Sequence, residues 1–153
     1  MTRGYSLIDV LVATTIMVIV TAMAVPIVLY SAQYSRASAA ARYLAGRIAV
    51  VRMQAVKRSA YVALRFENQN GYYRFSTYID GNGNGVRSTD IAQKVDYALA
   101  PAEQLENHFS GVTFGLYDDV LPVTAEEPLV GGDPIRVGRS DLLSFSPLGS
   151  ATS

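Results

Sequence analysis

The sequence has no cysteine and one histidine among its 153 residues. Without cysteine the fold contains no disulfide bond, and thiol catalysis and thiolate metal sites are excluded. His108 lies between Asn107 and Phe109 with no Ser-His-acid grouping around it, and the glycines follow no phosphate-loop pattern. We therefore expect that the protein is not an enzyme.

Charge of one sign is missing from two long stretches, although the net charge is zero. Residues 31–60 contain no acid, and their basic residues are Arg36, Arg42, Arg47, Arg52, Lys57 and Arg58. Residues 97–134 contain no lysine or arginine, and their acids are Glu103, Glu106, Asp118, Asp119, Glu126, Glu127 and Asp133. Such asymmetry can mark a nucleic-acid surface. We favour solvated faces that attract each other between subunits, because the basic residues step around the helix predicted there.

A long apolar run near the amino terminus dominates the sequence. Val10 to Tyr30 carries no charge, and roughly 20 apolar residues suffice for a helix to span a bilayer. One carboxylate, Asp9, precedes the run, where burial in a membrane costs roughly 2.5 to 3.5 kcal/mol. The polar leader is too short for a secretory signal, and no small-residue cleavage site follows the run. The pattern predicts a membrane helix with a functional acid.

This arrangement resembles the class III leader of type IV pilins and type II secretion pseudopilins. The resemblance implies that a prepilin peptidase cuts the Gly4–Tyr5 bond and that Tyr5 is then N-methylated. It also implies that Asp9 neutralises the amine of a neighbouring subunit and sets the filament register, and that Pro26 bends the helix. The family mostly has Phe and Glu where this chain has Tyr5 and Asp9.

A globular domain is predicted after the membrane segment. The helix should continue to about residue 58 with an apolar stripe for a sheet, formed by Ala37, Ala41, Leu44, Ile48, Val51 and Ala55. Alternation at 62–66, the turn Asn70-Gly71 and the return strand Tyr72–Ile79 predict a hairpin. Weaker strands are expected at 92–98, 111–117, 135–138 and 142–146, with long connections at 99–108 and 118–134. The sum is an α+β fold, a long helix packed on an antiparallel sheet.

Two later motifs narrow the resemblance. The loop from Asp80 to Arg87, with Asp90-Ile91 after it, and the stretch from Leu143 to Gly149 are similar to the GspH/FimT group of minor pseudopilins and minor pilins. Relatives usually continue into at least one more strand, so we expect either that the natural chain continues beyond Ser153, with the sequence truncated there, or that the last edge of the sheet is missing. In some relatives that tail binds DNA, and nucleic acid is therefore not an expected partner here.

The loop at 80–90 also resembles a calcium-binding loop. Asp80, Asn82 and Asn84 match the first, third and fifth positions of an EF-hand, but Ile91 stands at the twelfth and Asp90 one residue earlier. The alternative is a tight Asn/Gly connection whose glycines supply positive φ angles. We favour the plain connection and expect no cofactor, with calcium as the weaker hypothesis.

These patterns together predict three parts: a leader at 1–4, a transmembrane and assembly helix at 5–30, and a periplasmic pilin-like domain at 31–153. The expected function is that of a minor pseudopilin of a type II secretion system, at or near the tip of a periplasmic filament; the alternative is a minor type IV pilin in pilus assembly or DNA uptake. Expected partners are other filament subunits, the prepilin peptidase, the inner-membrane assembly platform and lipid. The expected location is the bacterial inner membrane, single-pass, with a cytoplasmic amino terminus.

Overall fold

The computed structural model describes residues 6–115, 135 and 140–152. Its helices are α1 (Leu7–Arg58), α2 (Ser88–Ala92) and α3 (Leu105–His108). Its strands are β1 (Val62–Gln69), β2 (Tyr72–Ile79), β3 (Tyr97–Ala98), β4 (Glu103–Gln104), β5 (Leu142–Phe145) and β6 (Ala151–Thr152). The architecture is α+β, as the sequence predicts, and the chain divides into two compact units at Ser38 and Ala39.

The first unit contains the amino-terminal part of α1. From Leu7 to Tyr34 its large apolar side chains are exposed, with none packed in a core. The three threonines between Leu7 and Tyr30 donate hydrogen bonds to backbone carbonyls of the same helix: Thr14 and Thr15 to Leu11, and Thr21 to Met17. Hydroxyls satisfied in this way need no water, which suits an apolar surrounding.

In the second unit, the remainder of α1 presents a buried stripe to the sheet. Ala40, Val51 and Ala55 are buried, and Leu44 and Ile48 are half-buried between them. The predicted stripe is correct from Leu44 onward, but its start is wrong, since Ala37 and Ala41 are exposed. Ala40 lies on the same helical face as Leu44 and therefore takes the place that the sequence analysis gave to Ala41.

The helix ends in a backbone reversal that turns the chain into the sheet. Ser59 adopts a left-handed conformation with φ of 50°, and the Ala60 N–H donates to the Ala55 carbonyl. This is the hydrogen bond of a Schellman cap, here formed without the usual glycine. Ala60 then packs against the core that contains Ala55, so the cap and the core support each other.

The sheet is antiparallel, in the order β3-β2-β1-β5-β6, and β4 also pairs with β2. The predicted hairpin is confirmed: β1 and β2 pair from Val62–Ile79 to Gln69–Tyr72. Asn70 and Gly71 have φ angles of 57° and 87°, as a two-residue type I′ turn requires. The strand predicted at 142–146 is β5.

The weaker strand predictions had mixed outcomes. Only Tyr97–Ala98 of the stretch 92–98 is a strand, because Ala92 is the last residue of the helical turn Ser88–Ala92 and residues 93–96 form turns and bends. Residues 111–115 form no strand. The stretch 99–108, predicted as a long connection, contains the short elements β4 and α3. Residues 116–117 and most of 135–138 lie outside the described residues.

Hydrophobic side chains cover both faces of the central strand β1. On the helix side, Val62, Leu64 and Phe66 pack with Val51 and Ala55, and the cluster also includes Phe75, Ile79 and Phe145. On the reverse side, the buried residues are Ala63, Val86 and Leu142, packed against Tyr61, Tyr78 and Ile91. The sequence analysis predicted the first core. It missed the second because Ala63 alternates with larger residues and resembles a solvent-side position.

We predict that residues 31–153 fold without the membrane segment and that Leu64→Ala destabilises them strongly. Leu64 is fully buried, and such truncations cost roughly 2 to 5 kcal/mol. Thermal unfolding should show the loss, with Met53→Ala as the control, because Met53 is an exposed residue on α1. Equal melting temperatures for the two variants would contradict this core.

Candidate functional site

Asp9 lies in the first turn of α1, where it caps the helix. The Ser6 N–H donates to Asp9 Oδ2 at 3.3 Å, and the Asp9 N–H donates to the Ser6 carbonyl at 3.0 Å. Ser6 stands at the N-cap position and Asp9 three residues later, the spacing of a capping box. The carboxylate also lies at the positive end of the helix dipole. Gly4 and Tyr5, the predicted cleavage and methylation residues, lie outside the described residues.

The apolar stretch that follows is long and apolar enough to cross a membrane, judged by its length and composition. Pro26 lies inside the helix, in the middle of this exposed surface. A proline has no N–H, so the carbonyl of Ala22, four residues earlier, lacks its usual helical partner. The bend expected at Pro26 stays a prediction.

The loop at 80–90 brings the four residues of the calcium hypothesis together. Asp80 accepts three backbone hydrogen bonds, from Asn82 and Gly83 at Oδ1 and from Gly85 at Oδ2, at 2.7 to 2.9 Å. The side-chain amide of Asn82 donates to Asp90 Oδ2 at 3.4 Å. The loop therefore places two carboxylates and two amides near each other, with Asp80 holding the backbone turn.

The pKa of Asp90 is lowered. A hydrogen bond from Asn84 is the main cause, with further hydrogen bonds from Asn82 and Thr89 and the positive charge of Arg87. Each of these interactions favours the ionised carboxylate. Asp90 is thus an anion that the loop itself stabilises.

The twelfth position of the calcium pattern has no ligand. Ile91 packs against the reverse-face core of Ala63, Val86 and Leu142, because α2 turns its apolar side toward the sheet. Within the described ranges, no group of three or more His, Cys, Asp or Glu side chains gathers at one place. Asp80 and Asp90 are the two carboxylates of the loop, and the calcium hypothesis stays a prediction.

A buried acid that the sequence analysis missed holds both ends of this loop. Asp96 is 2% exposed, and its two oxygens accept the N–H groups of Gly81 and Arg87, each at 3.0 Å. A Cβ at Gly81 would collide with the Val95 carbonyl, so only glycine fits there. The sequence carries no pattern for this contact, since Asp96 lies fifteen positions from Gly81.

A second polar cluster joins α1 to the segment of β4 and α3. Glu103 accepts a hydrogen bond from the Tyr43 hydroxyl at 2.5 Å and pairs with Arg47 at 2.5 Å. The hydrogen bond to Glu103, with burial and the carboxylate charge, raises the pKa of Tyr43. His108 stacks on the Tyr43 ring with centroids 5.0 Å apart, and its Nε2 lies 3.5 Å from Glu103. These contacts fasten the segment of β4 and α3 to α1.

Comparisons with known protein families, curated proteins and solved structures found no match to this chain. The functional interpretation therefore depends on the residues themselves. Among the predicted site residues, the structure describes Asp9, Pro26 and the four loop residues Asp80, Asn82, Asn84 and Asp90. It brings only the loop residues into contact with each other.

We predict that any calcium binding by the 80–90 loop has a Kd above about 10⁻⁴ M. Two carboxylates without a bidentate ligand at the twelfth position give less affinity than the ligand set of a calcium-sensor loop. Titration calorimetry of residues 31–153 measures this. Asp90→Asn is the matched variant, because Asp90 accepts side-chain hydrogen bonds in the loop while Asp80 holds its backbone. Micromolar binding that this substitution abolishes would contradict the prediction.

Proposed function

We propose that this protein is a minor pseudopilin of a type II secretion system, a structural subunit at or near the tip of a periplasmic filament. One observation carries the proposal: a single helix, α1, begins at a capped acid, continues through an exposed apolar stretch and ends in the core of an α+β domain. A filament subunit stored in a membrane needs these three parts on one element. The leader residues Gly4 and Tyr5 add the sequence evidence for export by a prepilin peptidase.

Asp9 supplies the assembly chemistry in this proposal. Cleavage would leave a positive amine on Tyr5 at the membrane boundary, where an unpaired charge is costly. The Asp9 carboxylate makes a single hydrogen bond to the Ser6 N–H, which leaves acceptor positions on its oxygens free and its negative charge uncompensated by any ion pair among the described side chains. Pairing with a neighbour's amine satisfies both charges and fixes the axial register of two subunits.

A minor type IV pilin is the second candidate, because it would use the same leader and fold. The feature that favours it is a set of basic side chains on α1 that remain exposed, namely Arg42, Arg52, Lys57 and Arg58. Electrophoretic binding of duplex DNA to residues 31–153 distinguishes the two candidates. Salt-sensitive binding that is lost when these four residues become glutamine would favour the pilin that captures DNA.

We predict that the mature protein begins at Tyr5 and carries an N-methyl group there. The protein should be expressed in a host with a prepilin peptidase, extracted from the membrane and weighed intact. A Gly4→Ala variant is the control, and it should keep its leader. A mature chain of the unmodified protein that still begins at Met1 would refute the proposed function.

We also predict that Asp9→Ala and Asp9→Asn enter the membrane but fail to crosslink with partner subunits. Either change lowers the cost of insertion and leaves the neighbouring amine unpaired. Asparagine can still accept the Ser6 hydrogen bond, so it separates the charge from the helix cap. Crosslinking yields are the measurement. Yields for Asp9→Asn that equal those of the unchanged protein would rule out charge pairing.

A further inference from the structure

Tyr30, Tyr34 and Arg36 follow the apolar stretch of α1 within the first unit. Tyr30 and Tyr34 are 74% and 73% exposed, and their spacing of four residues puts both rings on one side of the helix. Arg36 is the first charged residue after Asp9. Among the described residues, none of these three side chains has a hydrogen bond or ion pair with another part of the protein. The threonine hydroxyls of the apolar stretch differ, because they donate hydrogen bonds to the helix backbone.

The spacing of these residues along the helix matches the thickness of a bilayer. Asp9 and Tyr30 are 21 residues apart, which corresponds to about 32 Å of helix, close to the ~30 Å of a hydrocarbon core. Arg36 lies 27 residues from Asp9, about 40 Å, near the thickness of a bilayer with its headgroups. A helix that crosses with Tyr30 at one hydrocarbon boundary therefore has its only acid, Asp9, at the opposite boundary.

We propose that Tyr30, Tyr34 and Arg36 bind phospholipid headgroups around α1 and thereby fix the depth of the helix in the membrane. The inference depends on the proposed membrane role and adds the lipid contact and the register. Tyrosine rings favour the boundary layer, where the ring is in an apolar surrounding and the hydroxyl meets water or ester groups. The Arg36 guanidinium donates to headgroup phosphate, which its planar set of N–H groups fits well.

A tryptophan reporter tests this, because the chain has no tryptophan of its own. Tyr34→Trp and Ile16→Trp are made separately in the full-length protein and reconstituted into vesicles of phosphatidylglycerol and phosphatidylcholine. Fluorescence is quenched by lipids that carry a nitroxide either on the headgroup or deep in the acyl chain. We expect stronger quenching by the headgroup nitroxide at position 34 and by the deep nitroxide at position 16.

Charge reversal tests the contact with phosphate. In the Tyr34→Trp protein, Arg36→Glu should reduce quenching by the headgroup nitroxide, whereas Arg58→Glu, the same change at the end of α1, should leave it unchanged. Equal quenching in the two variants would overturn the role of Arg36. Deep quenching or no quenching at position 34, with deep quenching at position 16, would overturn the headgroup contact alone. No quenching at either position would overturn the membrane helix, and with it the proposed function.

Discussion

The backbone hydrogen bonding within α1 is the constraint on which the rest of the structure depends. A chain inside hydrocarbon has no water for its N–H and C=O groups, so the segment must satisfy them internally. Apart from the Ala22 carbonyl, which lacks a partner because of Pro26, α1 meets this requirement from Leu7 to Arg58. Val51 and Ala55, near its end, pack in the core with the sheet. One helix therefore carries both an exposed apolar surface and a face packed on the sheet, and the difference between its two parts lies in their side chains.

The two ends of this helix are closed by different means. At the start, Ser6 and Asp9 exchange hydrogen bonds with each other's backbone, which satisfies two N–H groups. At the end, Ser59 turns the chain back and Ala60 enters the core. The first cap uses a carboxylate side chain, whereas the second is formed by backbone groups alone. This difference suits an amino terminus that we propose to meet a partner and a carboxyl end that belongs to a folded domain.

The sequence was sufficient for the long elements and insufficient for the contacts between distant residues. The apolar run, the Asn70-Gly71 turn and the alternation of β1 are local patterns, and they predicted α1 and the β1–β2 hairpin correctly. The short strands β3 and β4 are two residues each and follow from pairing with β2, which no local pattern encodes. The capping role of Asp9 was readable from Ser6-Leu-Ile-Asp9, whereas the Tyr43–Glu103 contact spans 60 positions and was not.

The clamp by Asp96 has a practical consequence for labelling. The Asp96 carboxylate accepts hydrogen bonds from the N–H groups of Gly81 and Arg87, so the residues between them form a loop whose two ends are held together. Its tip, from Asn82 to Asn84, is exposed and makes no contribution to either hydrophobic core. Extra residues in such a loop add little closure entropy, because that cost grows only slowly with length. An epitope inserted at Gly83 would thus be displayed outside the fold, where an antibody could bind it.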